Sequence, residues 1–201
     1  EIKNPLTPIQ LSIDRIKQKY AIYIENQNKP EFENYLKTIN KQVVQIETLV
    51  NEFSDFARMP KPILKENDLV EIIQTNINLL KEIDKNISIN FSCDLDKLFI
   101  KCDNEQISRV ILNLIKNSIE SIQEKAIKTA DFVKNINIEM IKKNDYIEIN
   151  IEDNGTGFST SKLSDILKPY FTTKMKGSGL GLSIVNKIIN DHNGNLEFIP
   201  N

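Results

Sequence analysis

Residues 177–185 read Gly177-Ser-Gly-Leu-Gly-Leu-Ser-Ile-Val185, a glycine-rich loop that runs directly into an apolar helical pattern. Five of the six glycines of the chain lie in this loop and in one other segment, Asp153-Asn-Gly-Thr-Gly157. Glycine permits positive φ and the close approach of a backbone to another group, and the N–H groups at a helix N-terminus attract anions. The two segments therefore predict close approach of the backbone to a ligand, or positive φ, at both places, with an anion at the second.

Two common phosphate-binding patterns do not fit residues 177–185. A Walker A loop needs Gly-Lys-Ser/Thr, which does not follow here. The dinucleotide fingerprint needs a preceding strand and a third glycine, and position 182 is Leu. The loop thus indicates an anion site of another kind.

The composition of the chain limits the classes of protein to which it can belong. The chain has 201 residues, 26 basic and 28 acidic, with 40% hydrophobic residues and a formal net charge of −2. These totals suit one domain plus an extra element or two small domains, and they argue against a strongly basic nucleic-acid surface. No apolar run is long enough to span a bilayer. Only Cys93 and Cys102 occur, without a CxxC pair, so a zinc site or a disulfide framework is not expected.

The first 58 residues predict an antiparallel helical hairpin. Apolar residues recur at spacings of three and four in two stripes, interrupted by the polar stretch Glu25–Pro30: Ile2, Leu6, Ile9, Ile13, Ile16 and Tyr20, then Leu36, Ile39, Val43, Ile46, Val50, Phe53 and Ala57. Two such seams pack together well as a four-helix bundle, so we expect a homodimer. The alternative is that the seam packs on the rest of the same chain.

Two closely spaced prolines, Pro60 and Pro62, predict a domain boundary, with a second domain over 63–201. The patterns that follow indicate an α+β sandwich with helices on one face of a sheet. The expected helices are 69–80, capped by Asn67 or Asp68, then 104–124 and 182–189. The expected strands are 87–91, 98–100, 136–141, 146–151 and one beginning at Leu196.

Three further segments carry polar groups suited to a phosphate ligand. Asn113 and Asn117 share a helix face, and their amide oxygens can ligate Mg²⁺. Asp153 ends a strand and can accept a bond from an exocyclic amine. The loop 169–174 offers hydroxyls and a lysine to phosphate oxygens. Taken singly, each has a plain alternative: solvated amides, a common turn and an ordinary loop.

In this order the segments resemble the N, G1, F and G2 boxes of sensor histidine kinases, whose Bergerat-type fold is shared with Hsp90, MutL and gyrase. The opening Glu1-Ile-Lys-Asn-Pro-Leu-Thr7 is similar to the family's H box, beginning just after its histidine. The residues of this opening and of the segment Pro169-Tyr-Phe-Thr-Thr-Lys174 are most similar to those of nitrogen-regulation sensor kinases of the NtrB and NtrY type.

The resemblance implies an ATP- and Mg²⁺-dependent protein-histidine kinase of a two-component system, with a response-regulator receiver domain as partner and possible phosphatase activity. It implies Asn117 as the Mg²⁺ ligand, supported by Asn113, and Asp153 as the adenine anchor. Glu1 would assist the acceptor imidazole as a base, and Asn4 would orient a hydrolytic water. The remaining nucleotide-binding positions that it implies are Gly155, Gly157, Phe171, Thr172, Thr173, Lys174, Gly177, Gly179, Leu180 and Gly181.

The acceptor histidine of the H box would stand immediately before Glu1. We therefore expect the chain to be a piece of a longer cytoplasmic protein, compatible with a membrane anchor elsewhere. As it stands it would bind ATP without phosphorylating itself, and it makes no membrane contact of its own. The single histidine, His192, is expected to end the last helix, where the helix dipole favours it. The chain also ends short of the closing strand that the family usually has.

Two other functions fit the same segments. One is an ATPase of the chaperone or mismatch-repair class, but those proteins place Glu where this chain has Asn113. The other is a non-catalytic scaffold that binds nucleotide only to set the angle between its two domains.

Overall fold

The structure, a computed structural model, describes residues 6–83, 86–157, 165–172 and 179–199. Its elements are α1 (Leu6–Tyr20), α2 (Lys29–Ala57), β1 (Lys65–Asp68), α3 (Leu69–Ile83), β2 (Ser88–Cys93), β3 (Phe99–Cys102), α4 (Asn104–Lys128), β4 (Asn135–Lys142), β5 (Ile147–Asp153) and α5 (Gly181–Asp191). They form two compact units, one containing α1 and α2 and the other running from β1 to α5. Of the helices described, none is both long and apolar enough to cross a membrane.

The predicted helical hairpin is confirmed, and α1 packs on α2. Pro30 lies in the first turn of α2, where a missing N–H costs no helical hydrogen bond. Only alternate members of the two apolar stripes are buried inside the hairpin: Leu6, Ile13, Leu36 and Val43. The members between them stay 40–47% exposed, namely Ile9, Ile16, Ile39, Ile46 and Phe53. Packing within the hairpin thus buries about half of the residues of the two apolar stripes.

The second unit is the predicted α+β sandwich. Its three-stranded sheet has the order β2-β4-β5, with β2 parallel and β5 antiparallel to β4, and β1 pairs separately with β3. Side chains of β4 alternate, so that Ile136 and Ile138 are buried while Asn137 between them is exposed. Helices α3 and α4 contribute side chains such as Ile73 and Ile115 to the same core. One face of α4 is therefore fixed against the sheet.

Three local features of the structure were not predicted from the sequence. Residues 196–198 are not a strand, because no described segment pairs with them. The polar stretch that forms β1 shows no alternation, and it is extended because it pairs with β3. At the end of α5, Asn193 rather than Gly194 takes the left-handed conformation, with φ of 60°. The N–H of Gly194 closes this turn on the carbonyl of Ile189, at 2.8 Å.

The start of α4 is tied to two other parts of the second unit through Asp103. One carboxylate oxygen of Asp103 caps α4 at Gln106 N, and the other accepts the N–H of Ile63 at 2.8 Å. The N–H of Asp103 donates to Nε2 of His192, whose Nδ1 lies 2.8 Å from the carbonyl of Ile188. His192 therefore lies just past the end of α5, as predicted. Nε2 is the acceptor in the first contact, and the role of Nδ1 in the second depends on the tautomer.

These contacts make the stability of the protein depend on the charge of Asp103. Burial raises the pKa of Asp103, but the backbone N–H groups of Ile63, Gln106 and Glu105, together with His192, outweigh it and hold the pKa below its usual range. A lowered folded-state pKa stabilises the fold above the unfolded pKa of about 3.9, and this contribution is lost as pH falls through the folded pKa.

We predict that Asp103→Asn lowers the free energy of unfolding at pH 7 by about 0.5–1.5 kcal/mol, because an amide offers one oxygen where the carboxylate uses two to accept the N–H groups of Ile63 and Gln106. The difference from the unmodified protein should shrink as pH falls below about 4. Urea unfolding followed by circular dichroism at several pH values measures it. Asp145→Asn, in the exposed turn between β4 and β5, is the control. A difference between Asp103→Asn and the unmodified protein that grows toward acid pH would contradict the assignment.

Candidate nucleotide-binding site

One side of α4 carries a row of four polar residues, each four positions from the next: Asn113, Asn117, Ser121 and Lys125. Residues at this spacing lie on the same helix face, one turn apart. With a rise of about 1.5 Å per residue, the row extends roughly 18 Å along the helix. All four side chains are half-buried. The row therefore offers polar groups along a length comparable with that of a small ligand.

The first turn of α5 lies at the Asn113 end of the row. A Cβ placed on Gly181, the first residue of α5, would come 3.7 Å from the Asn113 side-chain oxygen. The N–H groups at the start of a helix favour negative charge. The predicted N segment and the helix start of the predicted G2 segment are therefore neighbours in the structure.

The turn after Asp153 lies at the other end of the row. A Cβ on Gly155 would come within 2.6 Å of the backbone carbon of Ser121 and 2.7 Å of the nitrogen of Ile122. No side chain fits there, so the glycine is required by contact with α4. The hydroxyl of Ser121 accepts the N–H of Thr156 at 3.0 Å. The sequence predicted that Gly155 leaves room for a ligand, whereas in the structure its nearest described neighbour is this helix.

The carboxylate of Asp153 belongs to the same turn. Asp153 is the last residue of β5, and one of its carboxylate oxygens accepts the N–H of Gly155 at 2.9 Å. Gly157 follows with φ of +67°, and no atom of the described residues would lie within 4 Å of an added Cβ. Glycine is therefore needed at 157 for its backbone conformation and at 155 for close packing. The positive φ of Gly157 agrees with the prediction, whereas the close approach at Gly155 is to α4.

Lys125 is a residue that the sequence reasoning missed. Its Nζ donates to the carbonyl oxygens of Asn154, at 2.8 Å, and Gly155, at 3.0 Å. The same Nζ lies 5.2 Å from the centre of the Phe132 ring. The spacing of four residues from Asn117 through Ser121 to Lys125 was the available signal. Serine and lysine are common in helices, so this spacing did not single out Ser121 or Lys125.

The other predicted site residues divide between described and undescribed parts of the chain. Phe171 is half-buried and donates its N–H to the Lys168 carbonyl at 3.2 Å, and Thr172 after it is exposed. Gly179 has φ of +70°, and Leu180 is buried. Glu1, Asn4, Thr173, Lys174 and Gly177 lie outside the described residues. The roles assigned to them stay predictions.

A separate cavity of about 310 Å³ lies in the second unit, between β1, α3 and the start of α4. It is lined by Asn67, Asp68, Glu71, Ile72, Thr75, Asn76, Asn104 and Ser108. Two carboxylates in its wall disfavour a triphosphate there. Among the described residues, no group of three or more His, Cys, Asp or Glu side chains is placed to hold a metal. At the Asn113–Asn117 face, amide oxygens and the ligand's own oxygens are suitable ligands for a cation.

Two family models together match most of the chain. Residues 102–201 match the histidine kinase-, DNA gyrase B- and HSP90-like ATPases, and residues 1–62 match the His Kinase A (phospho-acceptor) domain. The first match lies within the second predicted domain, 63–201, and leaves residues 63–101 unmatched, and the second match spans the first predicted domain, 1–58. The order of the two matches is that expected from the sequence.

Individual proteins agree with the family models. A putative NtrY-like sensor histidine kinase of Rickettsia bellii is 38% identical over 98% of this chain, which spans 31% of that protein. The nucleotide-free catalytic domain of histidine kinase ThkA is 30% identical with a TM-score of 0.55, covering 64% of this chain and 80% of that one. ThkA in complex with the response regulator TrrA is 26% identical with a TM-score of 0.66, covering 100% of this chain and 58% of that one. With its helical hairpin and its ATPase-type sandwich, the chain belongs to the sensor histidine kinase family.

Proposed function

We propose that the chain is the catalytic core of an ATP-dependent protein-histidine kinase of a two-component system. One observation carries the proposal: a single face of α4 joins the turn after Asp153 to the first turn of α5. This places a carboxylate suited to a purine amine and a helix N-terminus suited to phosphate at opposite ends of one polar row. The domain boundaries 1–58 and 63–201, and a cytoplasmic location, are part of the proposal.

The nucleotide would lie along α4 with its base toward Asp153. One carboxylate oxygen of Asp153 holds its own turn through Gly155 N, which fixes the direction of the whole carboxylate group. A carboxylate accepts a bond from the exocyclic amine of adenine, and a base that carries a carbonyl there offers no donor. The phosphates would then reach the Asn113 end, where α5 begins. Lys174 and the hydroxyls of Thr172 and Thr173 are the side chains proposed to contact them.

A magnesium ion fits the amide face of α4. Asn117 would hold it through its side-chain oxygen, with Asn113 one turn away and next to Gly181. Mg²⁺ takes few protein ligands when phosphates and waters complete its six positions, which matches a face with amides and no carboxylate cluster. When bound, it neutralises charge on the phosphate oxygens. The protein's own contribution is positioning, because phosphoryl transfer needs little covalent chemistry from the enzyme.

The phosphate acceptor would be a histidine immediately before Glu1, with Glu1 as the assisting base. Asn4 is proposed to orient the water that hydrolyses a phosphorylated partner. The match of residues 1–62 to a phosphoacceptor domain supports this reading. A response-regulator receiver domain is the proposed second acceptor, and the ThkA complex with TrrA supports that class of partner.

Adding one histidine immediately before Glu1 tests the kinase function. We predict incorporation of label from γ-labelled ATP into a product that is labile to acid and stable to alkali, as a phosphohistidine is. Asn117→Ala should abolish the labelling, because Mg²⁺-ATP loses its protein ligand. Asp153→Asn should weaken ATP binding by at least about tenfold, which is about 1.4 kcal/mol. Asn137→Ala, on the exposed face of β4, is the matched control and should label normally.

Two results would count against the kinase. Steady hydrolysis of ATP by the chain without the added histidine would favour a simple ATPase. ATP binding at unchanged affinity with no labelling after the histidine is added would favour a scaffold.

We also propose that the hairpin forms a homodimer through its uncovered stripe. Ile9, Ile16, Ile39, Ile46 and Phe53 repeat at helical spacing and remain 40–47% exposed. Because each of these side chains is already more than half buried, covering the rest yields less than half of the about 1.5–3 kcal/mol expected for a fully exposed side chain. A second copy offers the same stripe in return, which makes a symmetric four-helix bundle the simplest way to cover it.

Light scattering should give the mass of two chains for the unmodified protein and of one chain for Ile46→Glu, because a charge is costly in a buried seam. Lys41→Glu, exposed on the same helix, is the control and should stay dimeric. If the unmodified protein has the mass of one chain at micromolar concentration, this dimer is excluded.

A further inference from the structure

The turn that follows β5, residues 154–157, is hydrogen-bonded to two side chains of α4. The N–H of Thr156 donates to Ser121, while the carbonyls of Asn154 and Gly155 accept from Lys125. These bonds leave the backbone of the turn anchored to two successive turns of one helix. The turn is therefore anchored to the helix that bears Asn117.

The other bonds of this turn go to the sheet side. The side chain of Asn154 donates to the carbonyl of Val133 at 2.7 Å and accepts the N–H of Asn135 at 3.1 Å. These contacts fix the beginning of the turn to β4. Lys125 and Ser121 fix its middle to α4. The direction of the Asp153 carboxylate depends on both, because it bonds to Gly155 N within the turn.

Lys125 supplies the strongest of the ties to α4. An ammonium that donates to two carbonyl oxygens makes charge-assisted bonds, which are about twice as strong as neutral ones. Its stem is half-buried, and its Nζ lies over the Phe132 ring, which adds a cation–π contact. A shorter or uncharged side chain would leave two carbonyls of a tightly packed turn without this donor.

We propose that Lys125, assisted by Ser121, is a positioning residue for recognition of the nucleotide base. Lys125 touches neither the base nor the phosphates. It sets the position of the Asp153–Gly155 turn on α4, and thereby the place where the Asp153 carboxylate meets an exocyclic amine. The inference rests on the nucleotide-binding function proposed above and assigns to that site a residue that governs its choice of base.

Binding of ATP and inosine triphosphate, each with Mg²⁺, separates this role from general structural support. Inosine triphosphate has the same ribose and phosphates but lacks the amine that Asp153 would accept. For Lys125→Met, we expect ATP affinity to fall by about tenfold. The affinity for inosine triphosphate should stay within about twofold of the unmodified protein, which is about 0.4 kcal/mol. Lys125→Arg, which keeps charge and donors, should restore most of the preference for ATP.

Lys128→Met is the matched control. Lys128 lies three residues further along α4 and pairs only with the exposed Glu124 among its described contacts, at 3.3 Å. Lys128→Met should leave the affinities for ATP and for inosine triphosphate unchanged. Melting temperatures of all variants show whether each one folds. If Lys125→Met does not fold, Ser121→Ala serves instead, with an expected selective loss of about threefold for ATP.

Equal losses for both nucleotides, or no loss for either, would overturn the inference. Failure of the proposed function looks different: the unmodified protein would then bind neither nucleotide. A preference for ATP that Asp153→Asn removes and Lys125→Met leaves intact would retain the function and reject the role of Lys125.

Discussion

The contact between the turn after β5 and the backbone of α4 is the constraint on which the proposed site depends. At Gly155 the two backbones are too close for any side chain. The separation between Asp153 and Asn117 is consequently set by one rigid helix and one close contact. A site built this way is organised before a ligand arrives, which reduces the cost of ordering it on binding.

The same helix has a second structural task at its first turn. Asp103 caps α4, holds Ile63 in the segment that follows the predicted boundary, and contacts His192 just beyond α5. Helix α5 therefore touches α4 at both of its own ends, at Gly181 beside Asn113 and at His192 beside Asp103. This arrangement fixes the N-terminus of α5 relative to the amide face of α4. His192, the only histidine of the chain, takes part in this packing through both of its ring nitrogens.

Much of the fold was predictable because the patterns were long and regular. The stripes in α1 and α2 and the apolar face of α4 each extend over several turns, so tertiary packing had little to add. Residues 196–198 and β1 show the opposite case. A strand exists only where a partner strand offers hydrogen bonds. The alternation over residues 196–198 and the lack of alternation in the four residues of β1 carry no information about such a partner.

The site residues were predicted from the order of their segments along the chain, because each segment taken singly has a plain alternative. The structure places Asn113 beside Gly181. Ser121 and Lys125 are ordinary helix residues whose importance comes only from the turn that packs on them. Gly155 was identified as special, but sequence alone did not indicate that α4 is its close neighbour.

The central claim is that a nucleotide binds along the polar face of α4, between the Asp153 turn and the first turn of α5. Backbone amide chemical shifts, recorded while a non-hydrolysable ATP analogue with Mg²⁺ is added, test this most directly. The account predicts the largest changes at Asn117, Asp153, Gly155 and Gly181. Changes centred on Asn67, Glu71 and Thr75, which line the cavity between β1 and α3, would contradict it.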